Sequence, residues 1–83
     1  MITVRLPATL RAGAADSVTV DEPIANMAEL VEALDRRIPG LREQLDDSIF
    51  SFAVNDELLL QHARERRLAD GDTVEIIPTI SGG

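Results

Sequence analysis

The last two residues of the 83-residue chain, Gly82 and Gly83, could do chemistry without a side chain. Glycine loses more backbone freedom on folding than any other residue, so no folding requirement explains the pair. A segment without side chains can enter a narrow channel and present its terminal carboxylate to a reagent. Five residues follow Pro78, and an extended segment of that length reaches roughly 16 Å. The pattern indicates either a reactive carboxyl end or a frayed terminus without a role.

The other polar side chains offer no acid–base or metal site. His62 stands alone in a polar stretch, and no pair of carboxylates has a His, Lys or Tyr beside it. Asp70-Gly71-Asp72 lacks the spaced ligands and closing Glu of a calcium loop, so it predicts a turn. The sequence has no cysteine, which excludes disulfides and thiolate chemistry. We expect no bound cofactor, no metal and no self-sufficient enzyme.

Length and charge limit the kinds of partner. A chain of 83 residues makes one domain with a small core. The net charge of −7 makes nucleic acid and anionic membranes poor partners, whereas a partner with a basic surface suits it. No apolar run approaches 18 residues and no signal-peptide pattern is present, so we expect a cytoplasmic protein.

Period-two alternation of apolar residues predicts strands at Met1–Leu6, Ser17–Val20, Ile49–Val54 and Thr73–Pro78. The turn residues Asn55-Asp56 predict a short return strand after them, at Leu58–Leu60. The first two are close enough in sequence to form a hairpin across a turn at residues 8–15, where Leu10 points inward. Three consecutive leucines cannot all point inward from a strand, and we expect Leu59 to be exposed. In the last strand Ile77 points away from the core.

A helix is predicted between the second and third strands. Asn26 fits an N-cap with Glu29 three residues later, and Pro39-Gly40 ends the segment. Apolar residues follow at helical spacing, namely Met27, Leu30, Val31, Leu34 and Ile38. Glu32 and Arg36 are spaced for a weak ion pair. We predict one further helical turn at Leu41 to Asp47, with Leu41 and Leu45 docked against the rest of the domain.

This order of elements predicts a two-layer α+β domain. One helix covers one face of a mixed sheet, and the first and last strands pair in parallel at its centre. Phe50 and Phe52 are interpreted as core residues rather than as a ligand site. Residues 1–78 would form the domain and residues 79–83 a flexible tail, next to an apolar docking patch of Ile77, Pro78 and Ile80.

Three segments together resemble the MoaD/ThiS family of ubiquitin-like sulfur carrier proteins. They are Phe52-Ala53-Val54-Asn55-Asp56-Glu57, then Leu68 to Pro78 with its Asp-Gly-Asp turn, then Ser81-Gly82-Gly83. Leu10-Arg11 is also similar to a leucine-arginine pair of the family. The resemblance implies a ubiquitin-like β-grasp fold with a mixed four- to five-stranded sheet and one main helix.

The resemblance also implies a mechanism. A ubiquitin-activating-type adenylyltransferase would use ATP to adenylate the Gly83 carboxylate, and sulfur would replace the adenylate to give a thiocarboxylate. Gly82 and Gly83 would carry this chemistry. The partners would be that enzyme and a sulfur-accepting synthase, contacted through seven residues: Ile77, Pro78, Ile80, Ser81, Leu59, Arg64 and Arg66.

The resemblance leaves the sulfur acceptor open. The ending from Ile77 to Gly83 is similar to the small subunit of molybdopterin synthase, and this favours molybdenum cofactor biosynthesis. The segment from Leu6 to Arg11 is more similar to carriers for cysteine biosynthesis, whereas thiamin carriers usually lack the proline. Two other classes remain, a covalent protein modifier and a plain interaction module. All eight basic residues are arginine, so a modifier of this sequence would not build chains through its own lysines.

Overall fold

The computed structural model describes residues 1–7, 16–46 and 50–78, and the elements follow the predicted order. They are β1 (Ile2–Arg5), β2 (Ser17–Val20), α1 (Met27–Arg37), α2 (Leu41–Asp46), β3 (Phe50–Val54), β4 (Glu57–Leu59), a 3-10 turn (Ala63–Glu65) and β5 (Thr73–Pro78). The turn expected at 8–15, the inward Leu10 and the start of the third strand at Ile49 lie outside the described residues. So does the tail expected at 79–83.

Five strands form one mixed sheet in the order β2-β1-β5-β3-β4. β1 pairs with β2 in an antiparallel hairpin and with β5 in parallel, where Val4 lies opposite Val74. β3 pairs antiparallel with β5 on the other side, and β4 is the edge strand beyond it. The predicted parallel pairing of the first and last strands is therefore confirmed, with β5 at the centre of the sheet.

Alternation along the strands separates a core face from a helix-free face. Val4, Val74 and Ile76 are at most 2% exposed on the core face, and Phe50 and Phe52 pack there as predicted. The helix-free face carries Ala53, Glu75 and Ile77, because successive side chains of a strand point to opposite sides. α1 covers the core face with the predicted apolar stripe, and Leu41 and Leu45 of α2 dock beside it.

Side chains cap α1 at both ends. The Asn26 side-chain oxygen accepts a hydrogen bond from the Glu29 N–H at 2.9 Å, which confirms the predicted N-cap. The Glu29 carboxylate accepts in turn from the Ala25 N–H at 2.9 Å. At the other end the Asp35 carboxylate accepts from the backbone N–H of Gly40 at 3.2 Å, and Gly40 has a φ of +92°. The N–H of Glu29 lies in the first turn of α1 and would otherwise lack an intrahelical partner.

The predicted ion pair between Glu32 and Arg36 is wrong. The Arg36 guanidinium contacts Glu22 at 2.8 Å, and Glu32 accepts from Arg42 at 2.8 Å. Folding brings Glu22 and Arg42 within reach of α1, and these longer-range partners replace the neighbour one helical turn away. The hydrogen bond that Arg42 donates to the Glu32 carboxylate also raises the pKa of Arg42 above its usual value.

The predicted exposure of Leu59 is also wrong. Asn55 and Asp56, with φ of 49° and 71°, form a two-residue turn that places Glu57 opposite Val54. This register sets Leu59 opposite Phe52 on the core face, where it is half-buried. The exposed leucines are its two neighbours, Leu58 and Leu60.

Candidate partner-binding site

The end of β5 holds the two predicted contact residues that the structure describes. Ile77 lies on the helix-free face opposite Ser51, and it is half-buried. Pro78 is exposed opposite Phe50 at the end of the strand. Val74 and Ile76 point into the core, so the predicted alternation along β5 is confirmed. Main-chain pairing with β3 continues to Pro78, and the chain after it therefore leaves from the central strand of the sheet.

The remaining residues predicted near the carboxyl end lie outside the described part of the chain. They are Ile80, Ser81, Gly82 and Gly83. Their roles stay predictions, as does the role of Ile77 and Pro78 as partner contacts.

Two turns at the opposite end of β5 are bonded to each other. The Asn55 side chain accepts from the Thr73 N–H at 3.0 Å and donates to the Asp72 carboxylate at 3.0 Å. The other oxygen of Asp72 accepts from the Ala69 N–H at 2.8 Å. Hydrogen bonds from Ala69 and then Asn55 stabilise the charged carboxylate and lower the pKa of Asp72.

This network joins the end of β3 to the start of β5, and it therefore fixes the position of the strand that leads to residues 79–83. From the sequence we identified both turns but not the bonds between them. The sequence signal that could have indicated these hydrogen bonds is the presence of turn-forming Asn and Asp side chains in both turns.

Arg64 and Arg66 lie in the 3-10 turn and just after it, and both are already paired. The Arg64 guanidinium contacts Asp46 at 2.7 Å and stands 6.0 Å from the centroid of the Phe52 ring. Arg66 contacts Glu57 at 3.0 Å. Phe52 belongs to the core face, so Arg64 lies on the opposite side of the sheet from Ile77. The structure does not bring the predicted arginines and the end of β5 onto one surface.

The described residues show no metal-binding cluster. Within 1–7, 16–46 and 50–78, no three His, Cys, Asp or Glu side chains are placed to hold a metal ion. The His62 side chain is 75% exposed, and its Nδ1 lies 3.6 Å from the Glu65 carboxylate. Among the helices of the same ranges, none is long and apolar enough to cross a bilayer.

Comparison with known proteins assigns the family. Residues 4–83 match the family model described as ThiS family. The chain belongs to the ThiS family. A search of curated protein sequences gives no match. The fold predicted from the resemblance, a ubiquitin-like β-grasp, is confirmed by the five-stranded sheet with one main helix and by ubiquitin-like structural neighbours.

Solved structures of other proteins are similar to this ThiS-family chain over 96–100% of its length. Mycobacterium tuberculosis CysO has a TM-score of 0.84 at 26% identity, covering 96% of this chain and 100% of that one. A chain of the Amycolatopsis orientalis BexX/CysO complex gives 0.81 at 27%, covering 100% of both. SAMP1 from Haloferax volcanii gives 0.78 at 27%, covering 99% and 98%. One of these similar chains is thus seen in a complex of two proteins.

Proposed function

We propose that this ThiS-family protein is a sulfur carrier whose Gly83 carboxylate is converted to a thiocarboxylate. The observation that carries the proposal is the family match over residues 4–83, which extends through Ser81-Gly82-Gly83. The structure adds that the segment follows the central strand, which main-chain pairing with β1 and β3 holds in place. A carrier needs a rigid domain that its partners recognise and a reactive end that extends from that domain.

The chemistry proceeds in two steps. An oxygen of the Gly83 carboxylate attacks the α-phosphorus of ATP on a ubiquitin-activating-type adenylyltransferase, and pyrophosphate leaves. A sulfur donor at the oxidation level of sulfide then attacks the carbonyl carbon, and AMP leaves with the electrons of the broken C–O bond. A carboxylate is a poor electrophile, whereas the mixed anhydride has a good leaving group. ATP belongs to the partner enzyme, and this chain binds no cofactor of its own.

The composition of the chain suits an activated carboxyl end. Acyl-adenylates react with amines and thiols, and the sequence contains neither lysine nor cysteine. Arginine stays protonated, so its eight guanidinium groups do not compete as nucleophiles. A second copy of the carrier therefore offers no side-chain amine or thiol to the activated Gly83. This protects the intermediate for transfer to sulfur.

Two kinds of synthase are candidate sulfur acceptors. The ending from Ile77 to Gly83 favours a molybdopterin synthase large subunit, in which this chain would be the small subunit. The segment from Leu6 to Arg11 favours a cysteine synthase-type acceptor. Incubating thiocarboxylated protein with each enzyme separates the two, because only the true acceptor returns Gly83 to a carboxylate and forms product.

The test of the sulfur-carrier proposal is intact mass after expression beside the activating enzyme, with and without alkylation. We expect a fraction shifted by one oxygen-to-sulfur exchange, located at Gly83 and blocked by alkylation. A chain that ends at Gly82 is the control, and its circular dichroism spectrum should be unchanged. An unmodified mass after incubation with the activating enzyme, ATP and a sulfur donor would contradict the proposal.

A covalent protein modifier is the second candidate, and the similarity to SAMP1 at 27% identity favours it over a plain binding module. The name SAMP1 stands for small archaeal modifier protein 1, as in the solved structure of SAMP1 from Methanosarcina acetivorans. In this case Gly83 forms an amide with a lysine of a target protein. Conjugates of higher mass that survive reducing, denaturing gels and disappear on deletion of Gly82 and Gly83 would show it.

A further inference from the structure

A shallow groove of about 240 Å³ lies beside the end of β5 at Pro78. Ile77, Pro78 and Pro7 supply its apolar lining, and Arg5 and Glu75 supply charged groups. Arg5 and Glu75 are aligned in the parallel register of β1 and β5, so both side chains project from the helix-free face. The groove therefore connects the last residue of the central strand to two opposite charges on the sheet.

Arg5 is exposed, and it forms no ion pair with any described residue, Glu75 included. Other described arginines each contact a carboxylate, namely Arg36, Arg37, Arg42, Arg64 and Arg66. A guanidinium group carries five N–H donors and stays protonated at all physiological pH values. Arg5 can therefore bond to a carboxylate that another protein supplies, without giving up an ion pair within the described part of the fold.

The length of the carboxyl-terminal segment limits how an enzyme that acts on Gly83 can approach. Five residues follow Pro78, and they span at most roughly 16 Å when extended. An enzyme that encloses Gly83 must therefore bring its surface to within that distance of Pro78. Arg5 is level with Glu75, three residues before Pro78, and three residues of a strand span about 10 Å. Arg5 and the groove thus lie within the area that such an enzyme reaches.

We propose that Arg5 is a specificity-determining residue for the adenylating enzyme. The Arg5 guanidinium bonds to a carboxylate of that enzyme, and an apolar side chain of the enzyme enters the groove between Pro7 and Ile77. The inference rests on the proposed function, because it needs an enzyme that encloses Gly83. Adenylation precedes sulfur transfer, so the adenylating enzyme is the one that must select the unmodified chain.

The charges around Arg5 make such a contact selective. The net charge of −7 repels acidic partner surfaces in general, so a partner carboxylate gains only where it faces an unpaired cation. Glu75 stands beside Arg5 and repels a carboxylate that is misplaced by one strand position. An enzyme must therefore match both charges in the correct order, and a mismatched enzyme is rejected.

Steady-state kinetics of adenylation, followed by pyrophosphate release, test the assignment. Arg5→Gln should raise the KM of the purified adenylating enzyme for the carrier about fivefold, because it removes a partly solvated ion pair. The kcat should stay nearly unchanged, since Arg5 is remote from the reacting carboxylate and its contact is the same before and during the reaction. Arg5→Lys keeps the charge and should recover part of the loss.

Arg67→Gln is the matched control. Arg67 also forms no ion pair with a described residue, but it lies beside the start of α1, where its backbone bridges to Asn26. The substitution changes the net charge by the same amount as Arg5→Gln does, and its KM should equal that of the parent chain. An equal rise in KM for both variants would show an effect of net charge alone and would overturn the proposal.

Ionic strength separates a charge contact from a change of shape. The difference in KM between the parent chain and Arg5→Gln should shrink as salt rises from about 0.05 M to about 0.5 M, because salt screens exposed charges. A difference that stays constant would indicate a steric cause and would overturn the proposal. So would equal KM values for Arg5→Gln and the parent chain, with both shown to be folded by circular dichroism.

Two further outcomes distinguish this inference from the proposed function. If Arg5→Gln is adenylated as the parent chain is but its thiocarboxylate is no longer consumed by the synthase, the synthase contacts Arg5, and the docking proposal fails alone. If the parent chain itself is never adenylated, the proposed function fails.

Discussion

At the scale of single residues, Asn55 and Asp72 show how side chains in turns control the position of a strand. Asn55 accepts the Thr73 N–H and donates to Asp72, so the turn after β3 holds the turn before β5. Asp72 also accepts from Ala69, and both of its oxygens are therefore occupied. The depressed pKa of Asp72 means that the folded state prefers the carboxylate.

This preference predicts a pH-dependent contribution to stability. Because the folded pKa lies below the unfolded value, the contribution is complete above the unfolded pKa of about 3.9. It is lost as the pH falls through the folded pKa. Asp72→Asn should lower the free energy of unfolding by about 1–2 kcal/mol at neutral pH, since it removes one of two accepted hydrogen bonds.

Urea denaturation at a series of pH values measures this effect. The difference between the parent chain and Asp72→Asn should be constant above pH ~5 and should shrink as the pH falls below ~4. Asp56→Asn, in the exposed turn, is the matched control and should show no such trend. A difference that does not change with pH would mean that Asp72 acts without its charge.

At the scale of elements, β4 shows how a turn decides which side chains are buried. Three consecutive leucines give no period-two signal, so the sequence did not identify the inward one. The Asn55-Asp56 turn sets Glu57 opposite Val54, and this register turns Leu59 toward the core and Leu58 away from it. A shift of one residue would exchange the two faces.

Alanine substitutions distinguish these positions. Leu59→Ala should lower the free energy of unfolding by about 1–2 kcal/mol, which is less than for a fully buried leucine because Leu59 is only half-buried. Leu60→Ala should change it by less than about 0.5 kcal/mol, because its side chain is exposed. Chemical denaturation of the two variants measures both. A larger cost for Leu60→Ala than for Leu59→Ala would show that the register is different in solution.

At the scale of the whole molecule, the central position of β5 makes the fold depend on both ends of the described chain. β5 pairs with β1 on one side and with β3 on the other, so its formation needs contacts that are distant in sequence. Its inward residues, Val74 and Ile76, are at most 2% exposed. Local opening of such a strand would break pairing on two sides together with part of the core.

Native-state hydrogen exchange tests this description. The amides of β5 should exchange only through global unfolding, so their exchange free energy should equal the free energy of unfolding from urea denaturation. The outward amide of Leu58 should exchange with little protection. If β5 amides exchanged as easily as those of the β4 edge, the sheet would not be a single cooperative unit.

Local sequence patterns predicted the elements and the family. Alternation located β1, β2, β3 and β5, and the Asn55-Asp56 turn located β4. The Asn26 cap and apolar stripe located α1, and the turns with Ser81-Gly82-Gly83 carried the resemblance. These signals are local, because burial of one face imposes a period on each element separately. Part of the strand order was also predicted, namely the β1–β2 hairpin and the parallel pairing of β1 with β5. One helix packed on one sheet allows few strand orders.

Folding determined which residues that are distant in sequence contact each other. It paired Arg36 with Glu22, turned Leu59 inward, bonded Asn55 to Asp72 and left the β4 edge open while Arg37 covered the β2 edge. Each outcome depends on register and on long side chains that choose among several partners. The free-energy differences between alternative partners and registers are small, and they arise only after the elements have packed. No local sequence pattern therefore predicts them.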